Sequence, residues 1–101
     1  MEKNYNLVYL PLAEDDLIEI IDYVRLDDPT NAANLLSRFD DAVSKLVFFP
    51  FMGSVPKDLN LAQMNYRFLA VESFLVFYVV LDDTVEIRRI LSGKRKYDAL
   101  L

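Results

Sequence analysis

Five of the eleven lysines and arginines in this chain fall between Arg88 and Lys96, and Tyr97 follows directly. Guanidinium and ammonium groups gathered in one short stretch suit contact with an anionic surface. Other chemistry is narrowed by missing residue types. The chain has no histidine and no cysteine. Zinc sites built on those ligands are excluded, and so are Ser-His-Asp and Cys-His nucleophilic catalysis. The only glycines are Gly53 and Gly93, so no glycine-rich phosphate loop exists. Any catalysis must draw on Lys, Arg, Tyr, Ser, Asp or Glu, and no cofactor is expected. The Asp pairs 15/16, 27/28, 40/41 and 82/83 are better explained as caps and turns than as a divalent-ion site.

The net charge is −5, which argues against tight nonspecific binding to nucleic acid. The charge is unevenly spread, however. Ten of the sixteen carboxylates lie in the first 41 residues. Glu14, Asp15, Asp16, Glu19 and Asp22 read as the solvated face of a helix. A length of 101 residues allows one domain, taken as residues 1–101, and thirteen Phe and Tyr residues supply material for a core. No apolar run approaches the roughly 20 residues of a membrane span. The opening residues lack a basic segment followed by an apolar one, so no secretory signal is expected. A cytoplasmic location follows as the expectation.

The elements that would position the basic stretch can be read in order. Tyr5–Leu10 has strand character. Pro11 suits the first turn of a helix, with Ala13, Leu17, Ile20, Ile21 and Val24 on one face. Asp28-Pro29 starts a second helix, whose stripe of Ala32, Leu35, Leu36, Phe39, Val43, Leu46 and Val47 must end near Phe48 or Phe49, before Pro50. Phe51–Gln63 reads as a connecting loop. Tyr66–Val71, Phe74–Leu81 and Val85–Leu91 read as three strands, the middle one central because it is apolar on both faces. Ser92-Gly93 ends the last strand and leaves a short basic-to-apolar tail. The expected fold is α+β: β-αα-βββ, an αα-hairpin packed on a mainly antiparallel four-stranded sheet.

Several strings match in order. LPLAEDDLIEIIDYV, DDPTNAANLLSRF, FPFMGSVP, YRFL with FLVFYVV, and VEIRRILSGKRKYDALL span nearly the whole chain. Together they resemble the RelE/ParE family of bacterial type II toxins, closer to the ParE-like branch. Leu10 stands where the family usually has a capping Ser before Pro11. Ser54 follows Gly53 where a basic residue is common, Ser92 replaces a His, and Lys96-Tyr97 stands where an Asp usually follows.

The resemblance implies a toxin that inhibits growth and stabilises plasmids, held by a cognate antitoxin as a hetero-oligomer, with a homodimer as another assembly. It allows two activities. ParE-type members poison DNA gyrase and are not enzymes. RelE-type members cut messenger RNA on the ribosome, using strand-borne cations, an Arg after the turn glycine and a C-terminal aromatic. Residues matched to that second set are Arg67, Arg95 and, loosely, Tyr97; two further cationic positions fall on Leu69 and Leu75. RNA cleavage needs a base, cations around the transition state and a proton donor. Tyr97, with an ordinary pKa near 10, suits only the donor role, and Glu72 is a conceivable base. The thin set favours gyrase, with Arg89, Lys94, Arg95, Lys96 and Tyr97 as the target-binding surface. An inactive member that only binds antitoxin is the remaining alternative.

Structural readings stand beside these. Arg67 could pair with Glu72 or Glu86. Strand alternation predicts that Arg88 and Arg89 point to opposite faces, one pairing with helix carboxylates and one free. Phe48, Phe49, Phe51 and Met52 read as packing residues, or as part of an apolar groove for an antitoxin helix.

Overall fold

The computed structural model describes residues 4–94 and 100–101. Strand β1 (Asn6–Tyr9) leads into helices α1 (Pro11–Asp27) and α2 (Pro29–Ser44), and a 3₁₀ turn at Lys45–Val47 ends the hairpin. A short helix α3 (Leu59–Gln63) precedes strands β2 (Tyr66–Val71), β3 (Phe74–Leu81) and β4 (Thr84–Ser92). The sheet order is β1-β4-β3-β2. β3 pairs antiparallel with both β2 and β4, and β1 lies parallel to β4. The α+β fold expected from the sequence is therefore the fold observed, with α3 added inside the expected loop.

Local chemistry accounts for the boundaries. Both hairpin helices begin with proline, whose missing N–H costs nothing in the first turn. Asp28 caps α2 by accepting from the Thr30 and Asn31 N–H groups at 3.0 and 3.2 Å. Leu10, the N-cap of α1, provides no side-chain cap, as its replacement of Ser predicts. Asp58 accepts from the Leu61 N–H at 3.1 Å and so starts α3. The two sheet hairpins turn on two residues each, with Glu72 and Asp82 at φ 54°.

Two apolar layers hold the sheet. On one face Ala13, Ile21, Leu35, Phe39 and Val43 from the hairpin meet Val76, Tyr78, Val85, Ile87 and Ile90. On the other face Leu61 and Leu101 cover Tyr66, Phe77, Val79 and Leu91. β3 contributes to both layers, which explains its unbroken apolar run. Phe48, Phe49, Phe51 and Met52 do not join either core; each is at least half exposed. Among the described residues, no helix is long and apolar enough to cross a membrane.

Two tyrosines are held by this packing. Burial raises the Tyr9 phenol above its usual pKa, with Asp40 adding to the effect. Burial likewise raises Tyr78, against the opposing influence of the Gly53 N–H and Arg67. Because these folded-state values exceed the unfolded ones, the associated stability is present below about pH 10 and is lost as pH rises through the folded values. Absorbance at 295 nm, followed with circular dichroism, is expected to show a tyrosine fraction that ionises late, together with unfolding. The double variant Tyr9→Phe/Tyr78→Phe should lack that fraction.

Candidate functional site

The basic stretch begins on a distorted strand. Phe77 on β3 lies opposite Arg89 while the next residue, Tyr78, lies opposite Ile87. Arg88 is thus the extra residue of a β-bulge, and a bulge re-aims the side chains around it. The alternation expected for Arg88 and Arg89 is broken: both line one cavity of about 310 Å³, with Leu10, Pro11, Leu12, Tyr66, Leu100 and Leu101.

The two guanidinium groups are differently engaged. Arg89 reaches back to α1, where Asp16 accepts from its Nε at 2.7 Å and its Nη2 at 3.0 Å. Asp16 also accepts from the Ile90 N–H at 2.9 Å. That N–H lies beyond the end of β1, where no strand among the described residues continues the pairing. The pair is largely shielded, with side chains only 18% and 11% exposed. These hydrogen bonds raise Arg89 above its usual pKa, so it stays charged. Its Nη1 also donates to the Leu100 carbonyl at 3.2 Å. Arg89, expected on the target-binding surface, is therefore tied within the fold as the member that pairs with a helix carboxylate. Arg88 pairs with Glu86 at 2.9 Å and lies 5.7 Å from the Tyr66 ring centre. Its Nε is buried without a hydrogen-bond partner among the described residues.

Arg67 stands elsewhere. It sits on β2 opposite Tyr78, and its Nη1 donates to the carbonyls of Phe51 at 3.2 Å and Gly53 at 2.9 Å. Its guanidinium also lies 5.3 Å from the Phe51 ring centre. The sequence-level pairing with Glu72 or Glu86 is not formed, since Glu72 pairs with Arg38 and Glu86 with Arg88. Arg67 instead fastens the 51–54 segment along the sheet edge, where Ser54 and Phe68 exchange backbone hydrogen bonds at 2.9 Å. Neighbouring Tyr66 and Phe68 belong to the second apolar layer, so alternation puts Arg67 on the hairpin side. Leu69 and Leu75 pack against opposite layers and offer no polar group.

Lys94 is exposed at the end of β4. Gly93 before it is fixed by its N–H donating to the Ser73 carbonyl at 2.9 Å. Arg95, Lys96 and Tyr97, named from the sequence, lie outside the described residues. Glu72, the conceivable base, is exposed and ion-paired with Arg38. The arrangement around Arg67 can hold a loop, and the phenol beside it, Tyr78, is fully buried with its hydroxyl accepting from the Gly53 N–H. Two features were beyond sequence reading, the bulge and the loop-holding role of Arg67, whereas the Asp16–Arg89 pair is the expected pairing of one strand arginine with a helix carboxylate. Asp16 itself, read from the sequence as part of a solvated helix face, is instead largely shielded.

The fold recurs in solved structures. A chain of the chromosomal ParDE toxin–antitoxin system from P. aeruginosa superposes with a TM-score of 0.72 at 22% identity, over 87% of this chain and 95% of that one. A chain of the RelBE2 toxin–antitoxin complex from Mycobacterium tuberculosis gives 0.62 at 20% identity, over 89% and 92%. No curated protein matches by sequence. The model of the ParE toxin of the type II toxin–antitoxin system parDE matches residues 7–97. With that match running through both helices and the whole sheet, this chain belongs to the ParE toxin family of type II toxin–antitoxin systems.

Proposed function

We propose that this chain arrests bacterial growth by binding DNA gyrase through its basic carboxy-terminal turn, and that a cognate antitoxin silences it. It acts in the cytoplasm as a binding protein and not as an enzyme. The observation that carries this reading is the fate of the cations that RNA cleavage would need. Arg67 is occupied with the Phe51 and Gly53 carbonyls, and Leu69 and Leu75 stand at two further positions. A phosphorane-like transition state needs several cations converging with a base and an acid. Lys94, Arg95, Lys96 and Tyr97 supply the contact with a macromolecular target in this reading. The similarity to chains from two toxin–antitoxin complexes supports an antitoxin partner.

The test is induction of the chain alone in a bacterium, with thymidine and methionine incorporation followed over the first minutes. DNA synthesis is expected to fail first. If protein synthesis fails first, with transcripts cut, the nuclease reading replaces this one and Arg95→Ala becomes the variant to make. If neither fails, the chain is an inactive member that binds antitoxin only.

A further inference from the structure

The chain leaves β4 from a fixed point. The Gly93 N–H donates to the Ser73 carbonyl at 2.9 Å, and the Lys94 N–H donates to the Ser92 hydroxyl at 3.3 Å. At Leu100 the chain is held again. The Leu100 carbonyl accepts from Arg89 Nη1 at 3.2 Å. Leu101 packs against the apolar layer of Leu61, Tyr66, Phe77, Val79 and Leu91. Both residues also line the cavity at the bulge.

Arg89 can hold Leu100 because Asp16 holds Arg89. The Asp16 carboxylate takes Nε and Nη2, which leaves Nη1 for the Leu100 carbonyl. The carboxylate is itself placed by the Ile90 N–H. A guanidinium donates in one rigid planar fork, so fixing two of its nitrogens fixes the third. The ion pair is largely shielded, so water competes little for it. Leu100 itself is exposed, and its placement rests on the hydrogen bond more than on burial.

We propose that Asp16, Arg89 and Leu101 form a clasp that prepares the basic turn for its target. Asp16 orients Arg89, Arg89 holds the Leu100 carbonyl, and Leu101 seats the same end of the segment in the apolar layer. These are positioning residues: they act on the far end of the segment and do not touch the target. This role rests on the gyrase-binding reading of the turn. A segment tied at both ends loses less conformational freedom on binding than one tied at a single end, and the difference appears as affinity. Arg89 thereby has a part in target binding while its guanidinium is engaged inside the fold.

The experiment measures binding of the full chain to purified gyrase, together with methyl NMR of Leu101 in the free protein. Arg89→Lys keeps a cation for Asp16 and loses the planar fork. Leu101→Ser keeps Arg89 and removes the apolar seat. Each is expected to weaken gyrase binding about tenfold while circular dichroism shows the fold retained. Leu101→Met, which nearly conserves volume, should bind as the parent does. In the parent, the rings of the apolar layer should displace the Leu101 methyl signals from their coil positions. In Arg89→Lys these signals should move back towards coil positions. Direct contact of Arg89 with the target would leave them in place. Arg88→Lys, the same change one position earlier, is the control and should leave both readouts unchanged. Parent-like binding by Arg89→Lys and Leu101→Ser overturns the clasp alone. So do coil-like methyl signals in the parent, methyl signals that stay in place in Arg89→Lys, or an equal loss of binding in Arg88→Lys. A parent that does not bind gyrase overturns the gyrase reading, and the role of the clasp with it.

Discussion

Cells inducing Lys94→Glu/Arg95→Glu/Lys96→Glu are expected to grow while cells inducing the parent chain stop. The variant turns three positive charges into three negative ones where the sheet ends. Juxtaposing like charges at an interface costs several kcal/mol, and each 1.4 kcal/mol is tenfold in affinity, so binding to the target should weaken by at least about a hundredfold. Lys94 is exposed, so the fold should survive at that position. Circular dichroism and a melting curve check that point. Binding of gyrase by the purified variant, compared with the parent, reads the effect directly. Unchanged growth arrest by a folded variant removes the basic turn from the mechanism.

Arg67 makes the instructive contrast. Its residue type and strand position match a cation of the RNA-cleaving members, and from sequence that match competed with a simple surface ion pair. The structure gives it a third role that no local pattern could announce. Its acceptors, the Phe51 and Gly53 carbonyls, lie 16 and 14 residues earlier in the chain, and main-chain carbonyls have no sequence signature. The pairing of Asp16 with Arg89 is equally nonlocal, at a separation of 73 residues.

What was legible follows from periodicity and punctuation. The helical stripes, the prolines at 11 and 29 and the apolar run of β3 are each decided within a few residues, and each appears where expected. The short helix α3 was missed inside a segment rich in turn formers. Its signal was Asp58, an N-cap residue ahead of Leu59, Leu61, Ala62 and Gln63. The bulge at Arg88 was missed because a strand of nine residues reads the same with or without one extra residue. Only the register against β3 reveals it, and it changes the chemistry of the corner by putting two guanidinium groups at one cavity.

Gly53→Ala is expected to be far more damaging than the same change at Gly93. A Cβ placed there would lie 2.5 Å from the Tyr78 hydroxyl and 2.8 Å from the Phe68 carbonyl. Neither atom can yield cheaply. Tyr78 is fully buried and its hydroxyl accepts from the Gly53 N–H at 2.9 Å. The Phe68 carbonyl accepts from the Ser54 N–H at 2.9 Å, holding the segment to the sheet edge. Relieving the clash means breaking one of these bonds and shifting the carbonyl that Arg67 holds. Forcing an extra methyl into a packed site costs up to about 3 kcal/mol, occasionally more. For a domain of this size that corresponds to a fall in Tm of about 12 to 24 °C. Gly93→Ala is the control, because its nearest neighbour is the Ser73 carbonyl at 3.3 Å, a contact that a small shift accommodates. Its cost should stay within about 1 kcal/mol. Equal melting temperatures for the two variants would mean that the 51–54 segment does not ride this closely on Tyr78. A selective loss at Gly53, with Arg67→Ala lowering stability in the same segment, would establish Arg67 as the fastener of that loop.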